Sequence, residues 1–243
     1  MDGVKTDTAH RGPVLIGSAG RNTRPRWMCG LFSAAVLCSL AGCSLFVMAG
    51  KVFYGDPKAR SAFHTGTGFD LAKSNKTVLV VCSTPAYIQS DLPSVNLEIL
   101  EGVARRLKRH HVRIIKPDDV LSWLDTKGGI WSEPTELTEK FDADYIVHID
   151  LRRFDFREEH SRNMYRGRVD GALRVYEVRE RDGEKYVVNA FPAPEFEWVY
   201  PKLRPVPSQR MNSRIFQKKL IDRVSTQLAQ MLYDHPISTE PLD

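Results

Sequence analysis

Ser83 and Thr84 follow one apolar run, Asp150 closes another, and His148 stands two residues before it. These are the side chains whose types and spacing could do chemistry, since serine, histidine and aspartate are the parts of a base-activated nucleophile. His148 and Asp150 would share one strand face, however, and a catalytic histidine usually sits on a loop, so capping and turn roles are favoured for this group. In open α/β sheets ligands gather beyond the carboxyl ends of parallel strands, which marks Ser83, Thr84 and Asp150 as the expected pocket. No metal site is expected. Of His10, His64, His110, His111, His148, His160 and His235, only 110 and 111 are clustered, and adjacent side chains diverge. No Gly-x-Ser-x-Gly elbow, phosphate-cradling Gly-x-x-x-x-Gly-Lys or Gly-x-Gly-x-x-Gly is present, so no cofactor is implied and a catalytic residue is not assigned.

The densest basic run is Arg105, Arg106, Lys108, Arg109, His110, His111 and Arg113. It would suit phosphates, but Leu107 and Val112 interrupt it and cations at a helix carboxyl end complement the dipole, so nucleic acid is not expected as a partner. Arg105, Arg106 and Arg109 are retained as a surface for anionic lipid headgroups or acidic glycans. Trp198 and Tyr200 form either an exposed recognition ridge or, as favoured, packing against the sheet.

The chain has 243 residues, a formal charge of +5, four cysteines, 42% hydrophobic and 27% charged residues. That balance excludes collagen, wholesale disorder and a disulfide scaffold, and leaves one globular domain with an appendage. The apolar residues are unevenly spread. Residues 1–27 are polar and basic, with Arg21, Arg24 and Arg26 leading into an uncharged stretch from Met28 to Gly50. That is the layout of a secretory signal. Its apolar core ends in Leu40-Ala41-Gly42-Cys43, which resembles the lipobox of bacterial lipoproteins. The resemblance implies cleavage before Cys43, diacylglycerol on its sulfur and an acyl chain, palmitate or its like, on the new amino group. It also places the domain in the cell envelope, facing the periplasm, with Ser44 favouring outer-membrane sorting. A second anchor fits the same residues: left uncut, 28–50 is long enough to span a bilayer, with its arginines keeping the amino end in the cytoplasm. Removal of residues 1–42, which hold five Lys or Arg and two Asp, leaves 30 basic and 28 acidic residues in a 201-residue chain of charge +2. Cys82 is then the one thiol besides Cys43, and its apolar run predicts a small buried hydrophobe.

Residues 43–75 lack a sustained period and read as a lipidated tether and lead-in segment. Thr77–Cys82 is a β-branched run, the pattern of a strand covered on both faces. From Asp91, Leu97, Leu100, Val103, Ala104 and Leu107 share a helical face opposite Glu98, Glu101, Arg105 and Arg109, with Asp91 or Ser94 as cap. Val112 to Ile115 is a short strand, and Pro117 and Pro134 open two short helices. Tyr145–Leu151 is a third strand. Tyr165–Val178 alternates as a half-solvated antiparallel strand, Asp182-Gly183 turns it, and Lys185–Phe191 returns. Phe196–Tyr200 is a short edge strand, and Gln209–Tyr233 a closing helix with Phe216, Leu220, Val224, Leu228 and Met231 in one stripe.

This order predicts an α/β domain of α+β character over residues 76–233: a mixed sheet of about five strands flanked by helices, with a flexible tail at 234–243. Behind a lipobox, it is distantly similar to the α/β domains of penicillin-binding-protein activators, the curli secretion lipoprotein and the amino-terminal domain of the TolB type. That resemblance is one of element order, and no side-chain motif transfers. The function expected is a membrane-anchored adaptor or assembly factor with an envelope protein partner. The alternatives are a periplasmic hydrolase using Ser83 and Asp150, or a secretion-ring subunit.

Overall fold

The computed structural model describes residues 58–128, 131, 133–191 and 194–237. The signal segment, Cys43, the 28–50 run and residues 238–243 lie outside the described residues. In chain order the elements are β1 (Lys58–Ala59), α1 (Ala62–Thr67), a 3-10 turn (Leu71–Lys73), β2 (Thr77–Ser83), α2 (Ala86–Asp91), α3 (Val95–Arg109), β3 (Arg113–Ile114) and α4 (Pro117–Thr126). They continue with α5 (Pro134–Lys140), β4 (Tyr145–Glu158), β5 (Ser161–Arg181), β6 (Glu184–Phe191), β7 (Glu195–Tyr200), β8 (Val206–Pro207), α6 (Ser213–Gln230) and β9 (His235–Pro236).

The main sheet runs β3-β2-β4-β5-β6, with β7 and β8 also paired to β5. β2 is parallel to both β3 and β4, because α3 and the α4–α5 pair form the crossovers, while β5 turns back antiparallel to β4. The mixed sheet flanked by helices is therefore as expected. Asp182 and Gly183 both take positive φ, 55° and 84°, and close the β5–β6 hairpin on the Arg181↔Glu184 pair. That is the conformation an Asp-Gly dipeptide supports.

Alternation along β2 splits the core in two. Val78, Val80 and Cys82 join the larger cluster with α3 and α6, whereas Leu79 and Val81 face Val120, Leu137 and Phe141 of the α4–α5 side. Five buried residues in a row thus mark coverage on both faces. Cys82 is a free, buried thiol, and burial pushes its pKa above the ordinary range. On β5, Tyr165, Val169, Leu173 and Val175 are buried as the alternation predicts.

The α3–α6 contact is close. A Cβ on Gly102 would lie 2.5 Å from Ser225 Oγ, so the helices meet there only because the glycine has none. Arg106, one turn on, is 8% exposed and donates from Nε to Thr226 Oγ1 (2.9 Å), from Nη1 to the Gly102 carbonyl (2.9 Å) and from Nη2 to Asp222 Oδ1 (2.5 Å). Arg106 is thus not part of the expected anion-binding surface: three helical repeats of apolar neighbours turn it inward, where it bolts α3 to α6.

Several boundaries differ from the sequence reading. β4 continues seven residues beyond Leu151 to Glu158, because a register shift between Leu151 and Arg153 lets Arg152 and Arg153 pass without breaking the pairing. Residues 58–73, read as tether, pack on the domain through Phe63 and Leu71, both fully buried. They are held by Phe63 N–H to the Met231 carbonyl (2.9 Å), Ser61 N–H to Asp234 Oδ1 (2.9 Å) and the β1–β9 pair. Residues 234–236, read as tail, supply the other half of that clasp. A short helix, α2, stands where the sequence shows only a break after the strand, Ile99 rather than Leu97 faces the core, and α6 stops at Gln230.

Arg106→Ala should lower the free energy of unfolding by about 2 kcal/mol, since charge-assisted bonds are lost while Asp222 stays solvated. Arg106→Lys should recover little of it, because a point charge cannot serve the four acceptors that the guanidinium reaches, the Asp222 carbonyl included. Urea unfolding reads both, and an unchanged midpoint for Arg106→Ala contradicts the bolt.

Candidate functional site

Ser83 is the last residue of β2 and His148 the fourth of β4, and parallel pairing of Val81 with His148 and Ser83 with Asp150 puts all three side chains on the α4–α5 face. Ser83 Oγ lies 2.7 Å from His148 Nε2. Trp131 meets the imidazole edge-on at 4.7 Å between centroids. Burial, partly opposed by Asp150 and assisted by Arg174, pushes the His148 pKa down to about 4, so the ring is neutral at pH 7. Ser83 is therefore a strand residue bonded to histidine, in place of the capping and turn roles favoured by sequence.

Asp150 does not complete a triad. Its Oδ2 accepts from Arg174 Nη1 at 3.2 Å and lies 3.8 Å from Arg152 Nε, and Arg152 Nη1 donates in turn to Glu195 Oε1 at 2.7 Å. Two cations thus claim the carboxylate that would orient the histidine. A base works best with a pKa near the operating pH, so an imidazole at about 4 is a weak one. Ser83–His148 has the distance of a nucleophile–base pair without its electrostatics, and its contribution is to join β2 to β4.

β4 runs on past Asp150, and Thr84 turns aside, its carbonyl and hydroxyl accepting from Gln89 Nε2 at 3.3 and 3.1 Å. Two grooves lie elsewhere, and neither is lined by Ser83, Thr84 or Asp150. One, of about 740 Å³, runs between α3 and α6 past Glu101, Arg105, Tyr200, Ile215 and Lys219. The other, of about 860 Å³, flanks the β4–β5 hairpin past Asp91, Phe156, Glu159 and His160.

Arg105 and Arg109 stay exposed on α3. Trp198 stacks on Phe196 at 4.4 Å, and Tyr200 stacks on Phe216 at 6.0 Å beneath the Arg223 guanidinium. They are half-buried packing residues and form no exposed ridge.

One cluster escaped the sequence reading. His64, Asp70 and Asp234 bring a nitrogen and two carboxylate oxygens within 4.8 Å of one another, from segments up to 170 residues apart. The groups are already engaged. His64 Nδ1 lies 3.0 and 2.9 Å from the two Asp234 oxygens, Asp70 Oδ1 accepts from Ala72 N–H, and Asp70 Oδ2 lies 3.0 Å from Lys73 Nζ. Burial raises the Asp234 pKa, but the Ser61 amide and His64 outweigh it and hold the carboxyl below its ordinary value. This arrangement closes the clasp between the two ends of the domain, and no sequence signal pairs residues so far apart.

The fold and these contacts define a mixed α/β domain whose polar clusters are occupied by one another. No family model matches the chain, and no curated protein matches it. Among solved structures it is similar to the lipoprotein GNA1162 from Neisseria meningitidis, at 15% identity and a TM-score of 0.37, over 63% of this chain and 98% of that one. The PelC dodecamer from Paraburkholderia phytofirmans is matched at 11% identity and 0.38, over 73% and 96%. The hypothetical protein CT253 from Chlamydia trachomatis is matched at 16% and 0.33, over 64% and 98%. None reaches a TM-score of 0.5 or 25% identity, so no activity, partner or assembly transfers from them.

The low His148 pKa makes a pH prediction. The unfolded chain takes up a proton near pH 6.5 and the folded one only near 4, so stability is complete above this window and is lost as pH falls through it. By pH 5 the loss from this group should be about 2 kcal/mol. His148→Gln, which keeps a partner for Ser83, should flatten the curve of unfolding free energy between pH 7 and pH 5 by that amount. Parallel curves for both proteins would contradict it.

Proposed function

We propose that the chain is a membrane-anchored envelope lipoprotein whose α/β domain acts as a non-catalytic adaptor or assembly factor for an envelope complex. The observation that carries this reading is Leu40-Ala41-Gly42-Cys43 at the close of an uncharged run behind Arg21, Arg24 and Arg26. Small residues at 41 and 42 suit a narrow peptidase cleft, and a thiol at 43 is what a thioether requires. Diacylglycerol and an amide-linked acyl chain on Cys43 supply the several chains that stable anchoring needs. The domain then faces the periplasm, with Ser44 directing it to the outer membrane.

The geometry supports the non-catalytic part of this reading. Asp150 is held by Arg174 and Arg152, and His148 is a weak base. Among the described residues no helix is long and apolar enough to cross a membrane.

Cells given labelled palmitate should incorporate it into the protein, and Cys43→Ser should abolish the label. An unlabelled wild-type protein retained in membranes would favour the uncleaved helix. Crosslinking followed by pulldown of the anchored protein should recover one envelope protein in fixed ratio. Recovery of none would contradict the adaptor role.

A further inference from the structure

Six arginines of the sheet are matched with acids. Arg152, Arg153, Arg166, Arg168, Arg174 and Arg179 each lie within 4 Å of a carboxylate oxygen, on Glu195, Asp155, Glu158, Asp150 or Glu177. Residues 201–221 are different. This segment holds Lys202, Arg204, Arg210, Arg214, Lys218 and Lys219, and no Asp or Glu. All six are exposed, and none forms an ion pair among the described residues. Set among them are two large apolar side chains left in water, Leu203 at 75% and Ile215 at 54% exposure.

The fold gathers this segment on one side. Tyr200 stacks on Phe216 in the first turns of α6, and the Lys202 carbonyl accepts from Arg166 Nη2 at 2.8 Å, so the loop after β7 lies beside the start of the helix. Phe216, Leu220 and Ile221 take the core side of α6, which leaves Arg214, Ile215, Lys218 and Lys219 outward; the last three also line the groove against α3, whose far side carries Glu98 and Glu101. Repulsion among six like charges costs stability. Cations interleaved with exposed large apolar side chains are the composition of a surface that lies in a lipid headgroup layer. There the ammonium and guanidinium groups meet phosphates and the apolar groups reach the acyl boundary.

We propose that the face made by the loop after β7 and the first half of α6 docks on anionic phospholipid, with Lys202, Arg204, Arg210, Arg214, Lys218 and Lys219 binding headgroup phosphates and Leu203 and Ile215 inserting between them. This rests on the anchored reading above, which brings a bilayer within reach.

The test uses the full membrane-extracted protein mixed with vesicles of phosphatidylcholine alone or with one third phosphatidylglycerol, reading flotation and amide hydrogen exchange of residues 201–221. The anchored protein should float with both, and the phosphatidylglycerol vesicles alone should slow exchange in this segment. That slowing should fall roughly tenfold in the K218E/K219E variant and at high salt. Flotation with both vesicles and equal exchange in both overturns the lipid-binding face and leaves the anchor standing. Flotation only with phosphatidylglycerol supports the face and overturns the anchor, and flotation with neither overturns both. Slowing seen in native envelope membranes but in neither vesicle assigns the surface to an acidic protein and overturns the lipid assignment.

Discussion

The register of β5 against β4 is the constraint on which the rest of the domain depends. Twenty-one residues of β5 pair with β4 along one edge and with β6, β7 and β8 in succession along the other, so one strand fixes the position of four. Its glycines are placed by contact. A Cβ on Gly171 would come 2.3 Å from the Asp150 carbonyl, and one on Gly167 would come 2.4 Å from Leu220 Cδ1. The first lets β4 approach and the second lets α6 lie on the sheet. A slip of one residue would turn Arg166, Arg168 and Arg174 into the core and Val169 and Leu173 out of it, which makes the register unambiguous.

Charge is distributed by that register. On the sheet it alternates in sign across neighbouring strands, so Asp150, Arg174, Arg152 and Glu195 neutralise one another and the polar face is stable without a ligand. This is why the one serine–histidine contact has no catalytic carboxylate. On the helical side the arginine turned inward, Arg106, is fully engaged, while the exposed cations of residues 201–221 form no ion pair among the described residues. The clasp of Ser61, His64 and Asp234 ties residues 58–73 to the end of the domain.

Local chemistry made much of this legible from sequence. Thr77–Cys82 could be read as a doubly covered strand because both faces demand apolar side chains, and Asp182-Gly183 as a hairpin because few dipeptides accept two positive φ angles. The end of β4 was hidden because the shift at Arg152–Arg153 breaks the alternation that marks a strand. α1 was hidden because six residues anchored by Phe63 alone show no period. Of the candidate site, Ser83 and His148 were legible as residue types, but their contact depends on the pairing of strands 65 residues apart. The stripe of α3 is legible at Leu100, Val103, Ala104 and Leu107 but not at Leu97, where Ile99 takes the core side, and Arg106 is not legible as buried because a buried arginine and a surface one look alike until its acceptors are in place.

If, as proposed, lipid on Cys43 holds this domain to an envelope membrane, intact mass spectrometry of the membrane-extracted protein will find a chain that begins at Cys43 and carries added diacylglycerol and acyl mass. A chain retaining residues 28–50 without added mass would contradict it.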